Sequence, residues 1–116
     1  MKSIIEKARH EFETQTVDYE LLARLYQEYN PVPGIKNFIE RSKRTFPEGN
    51  CGLASLYLKY RLGGRVVRGS YGPEQHTFLL LDDTVIDITA DQFGGPKVYI
   101  GPLKAPYQIS SSNLNS

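Results

Sequence analysis

Cys51 is the only cysteine in a chain of 116 residues, and it stands where a thiol is activated. Asn50 before it is a favoured helix N-cap residue. Cys51 to Leu62 behind it reads as a helix, stopped by Gly63-Gly64. The first turn of a helix presents unpaired backbone N–H groups and the positive end of the macrodipole, and both stabilise a thiolate. The same N–H groups are candidates to cradle an oxyanion. A nucleophilic thiol also needs a base, and the base needs an acid to orient it. His76 and Asp87 are the residue types for those two tasks.

Hairpin geometry brings them together. His76 to Leu81 and Thr84 to Thr89 read as two strands of an antiparallel hairpin, with Asp82-Asp83 as a two-residue turn. Leu81 then pairs with Thr84, Phe78 faces Asp87, and His76 pairs with Thr89. Side chains alternate along a strand, so His76, Phe78, Asp87 and Thr89 all point to one side. Asp87 becomes the diagonal neighbour of His76, about 7–8 Å away along the backbone and closer at the side-chain tips. A three-residue turn would reverse the parity and separate them.

Other polar residues are candidates to support this site. The oxyanion donor is expected to be the Cys51 backbone N–H, with the Asn50 side chain as the alternative to a plain capping role. Gln92 and Gln75 are candidate substrate contacts. Asp91 is either a support or a turn-forming residue, and Thr89 either joins the site or packs beside it. His10, beside Glu11 and off the apolar stripe of its helix, reads as a surface histidine. A zinc site built from Cys51, His76 and Asp87 lacks the supporting spacings of a CxxC or HxxxH pair, so no metal and no cofactor are expected. Asp82-Asp83 has no EF-hand spacing around it, and no Gly-rich phosphate loop is present.

The elements that must hold these residues follow from patterning. Ser3 with Glu6 forms a capping box for a first helix over residues 4–14, with Ile4, Ile5, Ala8 and Phe12 on its apolar face. Asp18 caps a second, to Tyr29, whose Leu21, Leu22, Leu25, Tyr26 and Tyr29 read as core. Asn30-Pro31-Val32-Pro33-Gly34 turns the chain. A third helix spans residues 35–44. The cysteine helix is apolar almost all round, as a central helix is. Beyond it come strands over 65–71, 76–81 and 84–89, with Gly72-Pro73-Glu74-Gln75 as a loop. An edge strand is expected at 97–100 and a frayed polar tail from Ile109. Helices first and an antiparallel sheet afterwards is an α+β arrangement, one domain over residues 1–116.

Composition narrows the class. Charged residues make up 23% of the chain and the net charge is +1, which argues against a nucleic-acid protein. Lys36, Arg41, Lys43 and Arg44 read as a solvated helix face. One cysteine permits no internal disulfide, so a reducing, cytoplasmic setting is the default. The N-terminus has no signal-peptide pattern and no run is long enough to span a bilayer. Delivery or export without a cleaved signal is left open, and no membrane partner is expected.

Three stretches carry a family resemblance: Asn50-Cys51-Gly52-Leu53-Ala54-Ser55, His76-Thr77-Phe78-Leu79-Leu80-Leu81, and Ile86-Asp87-Ile88-Thr89-Ala90-Asp91-Gln92-Phe93. Together they resemble the transglutaminase-like branch of the papain-like cysteine enzymes. That superfamily includes proteases, transglutaminases, arylamine N-acetyltransferases and bacterial deamidase or protease effectors. The resemblance covers residues 50–93. It implies a helix-borne nucleophile at Cys51, a strand-borne base at His76 and an orienting acid at Asp87. Two departures stand out. The oxyanion glutamine of papain-type enzymes is absent, with Thr45 near its place, and the usual second lobe is missing.

The expectation is a cysteine hydrolase or acyl transferase acting on an amide or thioester carbonyl, peptidase or deamidase first, with a protein or peptide substrate. Transfer to an amine is the nearest alternative. A catalytically inert binding or regulatory module, using the Tyr- and Leu-rich helices as a partner surface, is the alternative of a different class.

Overall fold

A computed structural model describes residues 1–110. The helices form first along the chain. α1 (Lys2–Glu13) buries Ile5, Ala8, Arg9 and Phe12, the i, i+3, i+4, i+7 pattern of one helix face. The expected Ser3–Glu6 capping box is not used. The Ile5 N–H already donates to the Met1 carbonyl at 3.2 Å, which places Ser3 inside the helix. α2 (Tyr19–Tyr29) is capped as expected, with Asp18 accepting from the Leu21 N–H at 3.1 Å. α3 (Ile35–Thr45) buries Ile39 and Ser42.

α4 (Cys51–Leu62) has the bounds that its sequence announces, and Leu53 to Leu58 are all buried. Its outer end is less apolar in practice, because Tyr60 is 58% exposed. Gly63, at φ +82°, takes the helix stop that only glycine adopts without strain.

Five strands follow: β1 (Arg65–Tyr71), β2 (Glu74–Leu81), β3 (Thr84–Asp87), β4 (Tyr99–Pro102) and β5 (Tyr107–Ile109). They form one antiparallel sheet in the order β4-β3-β2-β1-β5. β2 starts two residues earlier than expected, because Gly72-Pro73 alone makes the β1–β2 turn and Tyr71 pairs with Glu74. Gln75 therefore lies in a strand, not a loop. The β2–β3 turn is the expected two-residue Asp82-Asp83, with Leu81 opposite Thr84 and Asp82 at φ +54°. The ladder ends at Leu79–Ile86, and β3 stops at Asp87. Thr89 is thus not a ladder partner of His76; the chain bends away into a 3₁₀ turn, Ala90–Phe93.

The edge strand expected at residues 97–100 is displaced to Tyr99–Pro102, where it pairs with β3. β5 was not expected at all. It includes Ile109, the first residue of the expected frayed tail, and the rest of that tail beyond Ser110 lies outside the described residues.

The sheet separates two cores. Leu79, Ile86 and Ile88 pack with Ile5, Phe12, Leu22, Ile39, Leu53 and Leu58 of the helices. Val67, Phe78, Val85 and Tyr107 form the other cluster, with Tyr71, Leu80, Tyr99 and Ile109 against it. The assignment to an α+β fold holds. No helix among the described residues is long and apolar enough to cross a membrane.

Candidate active site

His76 and Asp87 share one face of adjacent strands, as the two-residue turn requires. His76 Nε2 lies 2.7 Å from Asp87 Oδ2, and both residues are only 3% exposed. The same carboxylate oxygen accepts from Tyr107 Oη at 2.7 Å. The other oxygen, Oδ1, accepts from the Thr89 N–H at 2.9 Å and the Thr89 hydroxyl at 3.2 Å. Four donors converge on one buried acid, so its charge is held in place. A carboxylate accepts only, so His76 Nε2 must carry the proton when Asp87 is ionised. Nδ1 is then the nitrogen left for chemistry. It is buried and has no hydrogen-bond partner of ordinary geometry.

Cys51 is the group that acts on that ring. The thiol, half-buried at the first residue of α4, is raised by burial but brought below its ordinary value by His76 and by the backbone N–H and hydroxyl of Thr77. His76 moves the other way. Burial works against its charge, but Asp87 and then Cys51 outweigh it, and its pKa is pushed up to about 9. A lowered thiol beside a raised imidazole shifts the balance toward a thiolate–imidazolium pair. Tyr107 is raised too, by burial and by the negative charge of Asp87, and stays a phenol that donates.

The histidine sits among rings. Phe93 meets it edge-on at 5.1 Å between centroids, and Tyr71 at 6.2 Å. Phe78 and Tyr107 lie at 6.1 and 6.4 Å. These rings keep water from the His76–Asp87 bond, and a dry surrounding strengthens it.

Cys51 opens onto a cleft of about 280 Å³ bounded by Tyr26, Tyr29, Phe38, Gly52, Arg68 and Thr77. A second cleft, of about 460 Å³, lies against Arg68, Ser70, Gln75, His76 and Thr77. Arg68 and Thr77 border both. Tyr26 and Tyr29, read from the sequence as core, are half-buried cleft walls instead. A helix stripe cannot tell a ring packed on the core from one packed at its rim.

The supporting residues divide. The first backbone bond of α4 runs from the Ala54 N–H to the Asn50 carbonyl at 2.9 Å, so the N–H groups of Cys51, Gly52 and Leu53 precede the ladder. They remain the oxyanion candidates. The Asn50 side chain does not. It is buried, and its amide donates to the Ser42 and Glu48 carbonyls at 3.0 and 2.9 Å, so it neither caps α4 nor reaches the sulfur. Gln92 turns back as well, donating to the Thr89 carbonyl at 3.0 Å. Gln75 borders the second cleft as a substrate contact would. Asp91 takes the structural role, in a two-pronged pair with Arg9 at 2.7 and 2.8 Å. Tyr107 and the ring cage were not anticipated, because Tyr107 follows Ala105-Pro106 in a stretch with no strand-length apolar run. Among the described residues no cluster of metal-ligating side chains is gathered to hold an ion.

The model of the family described as YunG protein matches residues 36–112, two thirds of the chain. The chain belongs to the YunG family. The matched stretch contains Cys51, Arg68, His76, Asp87 and Tyr107, whereas Arg9, Tyr26 and Tyr29 come before it. No curated protein and no solved structure matches the chain.

Proposed function

We propose that this protein is a cysteine-dependent acyl-transfer enzyme that hydrolyses an amide or ester through Cys51, His76 and Asp87. The observation that carries the proposal is the buried His76–Asp87 bond of 2.7 Å combined with a buried Nδ1 that has no partner of ordinary geometry, beside a thiol of lowered pKa. A histidine kept only for packing has no need of an ionised partner or of an unsatisfied nitrogen, which is costly to bury.

The Cys51 thiolate attacks the carbonyl carbon, and the carbonyl π electrons move to oxygen. The first N–H groups of α4 stabilise that oxyanion. As the tetrahedral species collapses, the carbon–nitrogen or carbon–oxygen bond breaks, and His76 Nδ1–H gives its proton to the leaving group. A thioester on Cys51 remains. Neutral His76 then takes a proton from water, and the hydroxide attacks the thioester. Collapse expels the thiolate and restores the pair. Asp87 holds the ring through Nε2–H throughout.

Water as acceptor needs no second binding site, which favours hydrolysis over transfer to an amine. The order of helix-borne cysteine, strand histidine and acid on the next strand supports kinship with the transglutaminase-like enzymes, and a peptide-like substrate goes with that kinship. A thiol that must stay reduced suits a reducing compartment.

The test is alkylation of Cys51 by iodoacetamide across pH. The wild-type thiol is expected to react below the ordinary thiol value near pH 8.5, and His76→Ala is expected to lose that reactivity. A wild-type profile like that of a free thiol defeats the proposal. Mass spectrometry of an acyl-type probe should then find it on Cys51, with Cys51→Ala as the blank.

A further inference from the structure

Arg9 is a charged residue on the buried face of α1, and only 6% of it is exposed. An arginine is buried only where its charge is answered. Asp91 answers it with both carboxylate oxygens, at 2.7 and 2.8 Å, and Glu13 with one, at 3.2 Å. The Phe46 ring centroid lies 4.7 Å from the guanidinium carbon. Lys97, 3.9 Å from Glu13, is the next charge outward. One contact goes elsewhere. Nη1 also donates to the Ile88 carbonyl at 2.8 Å.

That carbonyl belongs to the same peptide unit as the Thr89 N–H, which donates to Asp87 Oδ1 at 2.9 Å. A peptide unit is planar and stiff, so its two ends turn together. Contacts therefore run from the guanidinium, through one peptide, to the acid that holds His76. The Thr89 hydroxyl, 3.2 Å from the same Oδ1, rides on that unit. Just beyond it, Asp91 on Arg9 and Gln92 on the Thr89 carbonyl, at 3.0 Å, fix the chain. Stability alone is a weak reason for a buried ion pair, since apolar residues of similar volume often do as well.

We propose that Arg9 is a positioning residue for this site: it holds the Ile88–Thr89 peptide so that Asp87 stays turned toward His76. This rests on the acyl-transfer reading above and adds α1, which lies before the stretch that the family model matches, to the parts the site needs. Arg9 is not among the groups that shift the His76 imidazole, which are burial, Asp87 and Cys51. The titratable groups that face His76 are Cys51 of α4, Tyr71 of β1, Asp87 of β3 and Tyr107 of β5. Charge and position have opposite signs here. Loss of a nearby cation favours the imidazolium and raises its pKa, whereas loss of the Asp87 contact lowers it.

The titration midpoint of the His76 ring, followed by its proton resonances in the full chain, separates the two. The wild type is expected at about 9. Arg9→Lys keeps the charge but not the fork, and is expected to lower the midpoint by about one unit, the low end of what an opposite charge supplies. Arg9→Met should lower it further, although it removes a cation. The iodoacetamide rate of Cys51 at a fixed neutral pH should fall with the midpoint. Glu13→Gln removes a partner of Arg9 that lies off this path, and should leave both readings unchanged. Ile5→Val, a loss of packing in the same helix, should lower stability and also leave both unchanged. An unmoved or raised midpoint in Arg9→Met overturns the inference and leaves the acyl-transfer reading standing. A wild-type midpoint at about 6.5, the ordinary value, removes that reading and this inference together. Should Arg9→Met fail to fold, the same outcomes in Arg9→Lys decide.

Discussion

At the residue scale, the site depends on how one carboxylate divides its oxygens. Asp87 Oδ2 serves both His76 and Tyr107, whereas Oδ1 serves Thr89. Tyr107→Phe removes one of two donors on the oxygen that faces the imidazole. The carboxylate loses stabilisation, becomes more basic, and pulls harder on the Nε2 proton. The imidazolium should therefore persist to higher pH, so the alkaline limb of the activity or alkylation profile should move up. Stability should fall by about 2 kcal/mol, the scale of a buried bond to a charged group. A purely structural tyrosine would lower stability and leave the limb where it is. The His76–Asp87 contact was legible because the two-residue turn between their strands has few options. Tyr107 was not, because nothing in a lone tyrosine says which carboxylate it will meet.

At the element scale, position decides more than composition. α4 and the β2–β3 turn were legible to the residue, since Asn50, a glycine pair and two aspartates mark them locally, although the Asn50 side chain does not cap the helix. β5 and the Arg9–Asp91 pair were not, because both join residues distant in sequence. Arg9 shows how pattern reading fails. It stands on the apolar face of α1 with its guanidinium bonded to Asp91 and to the Ile88 carbonyl, beneath the turn that follows Asp87. Gly69 links these levels. It sits opposite His76 in the β1–β2 ladder, and a Cβ there would overlap the Gln108 carbonyl of β5 and press on the Phe78 ring. Gly69→Ala should push β5 outward at a cost of about 1–3 kcal/mol, the range for overpacking. Tyr107 rides on β5, so the same variant should reproduce the alkaline shift of Tyr107→Phe. Thermal melts and the alkylation profile, read together, check this; destabilisation with an unmoved limb would mean that β5 does not position Tyr107.

At the scale of the whole molecule, the charges at the site make folding depend on pH. The folded pKa of His76 is raised from 6.5 to about 9, so folded protein keeps a proton that unfolded chain gives up. That contribution is complete below pH 6.5 and is lost as pH rises through 9. Its size is on the order of 3 kcal/mol. The thiol has the opposite sign: its folded value is lowered, so its contribution is present above pH 9 and is lost as pH falls through the lowered value. In the wild type the two slopes partly cancel between pH 6.5 and 9. Cys51→Ser removes the second slope and keeps Asp87, the larger influence on the ring. Its stability should therefore decline more steeply than that of the wild type over this interval, as denaturant midpoints at successive pH values would register. The His76 ring resonance in the wild type should titrate near 9 and not near 6.5. A midpoint at the ordinary value, with parallel stability curves for both proteins, would mean that the acid does not hold the ring and that no ion pair forms beside the helix.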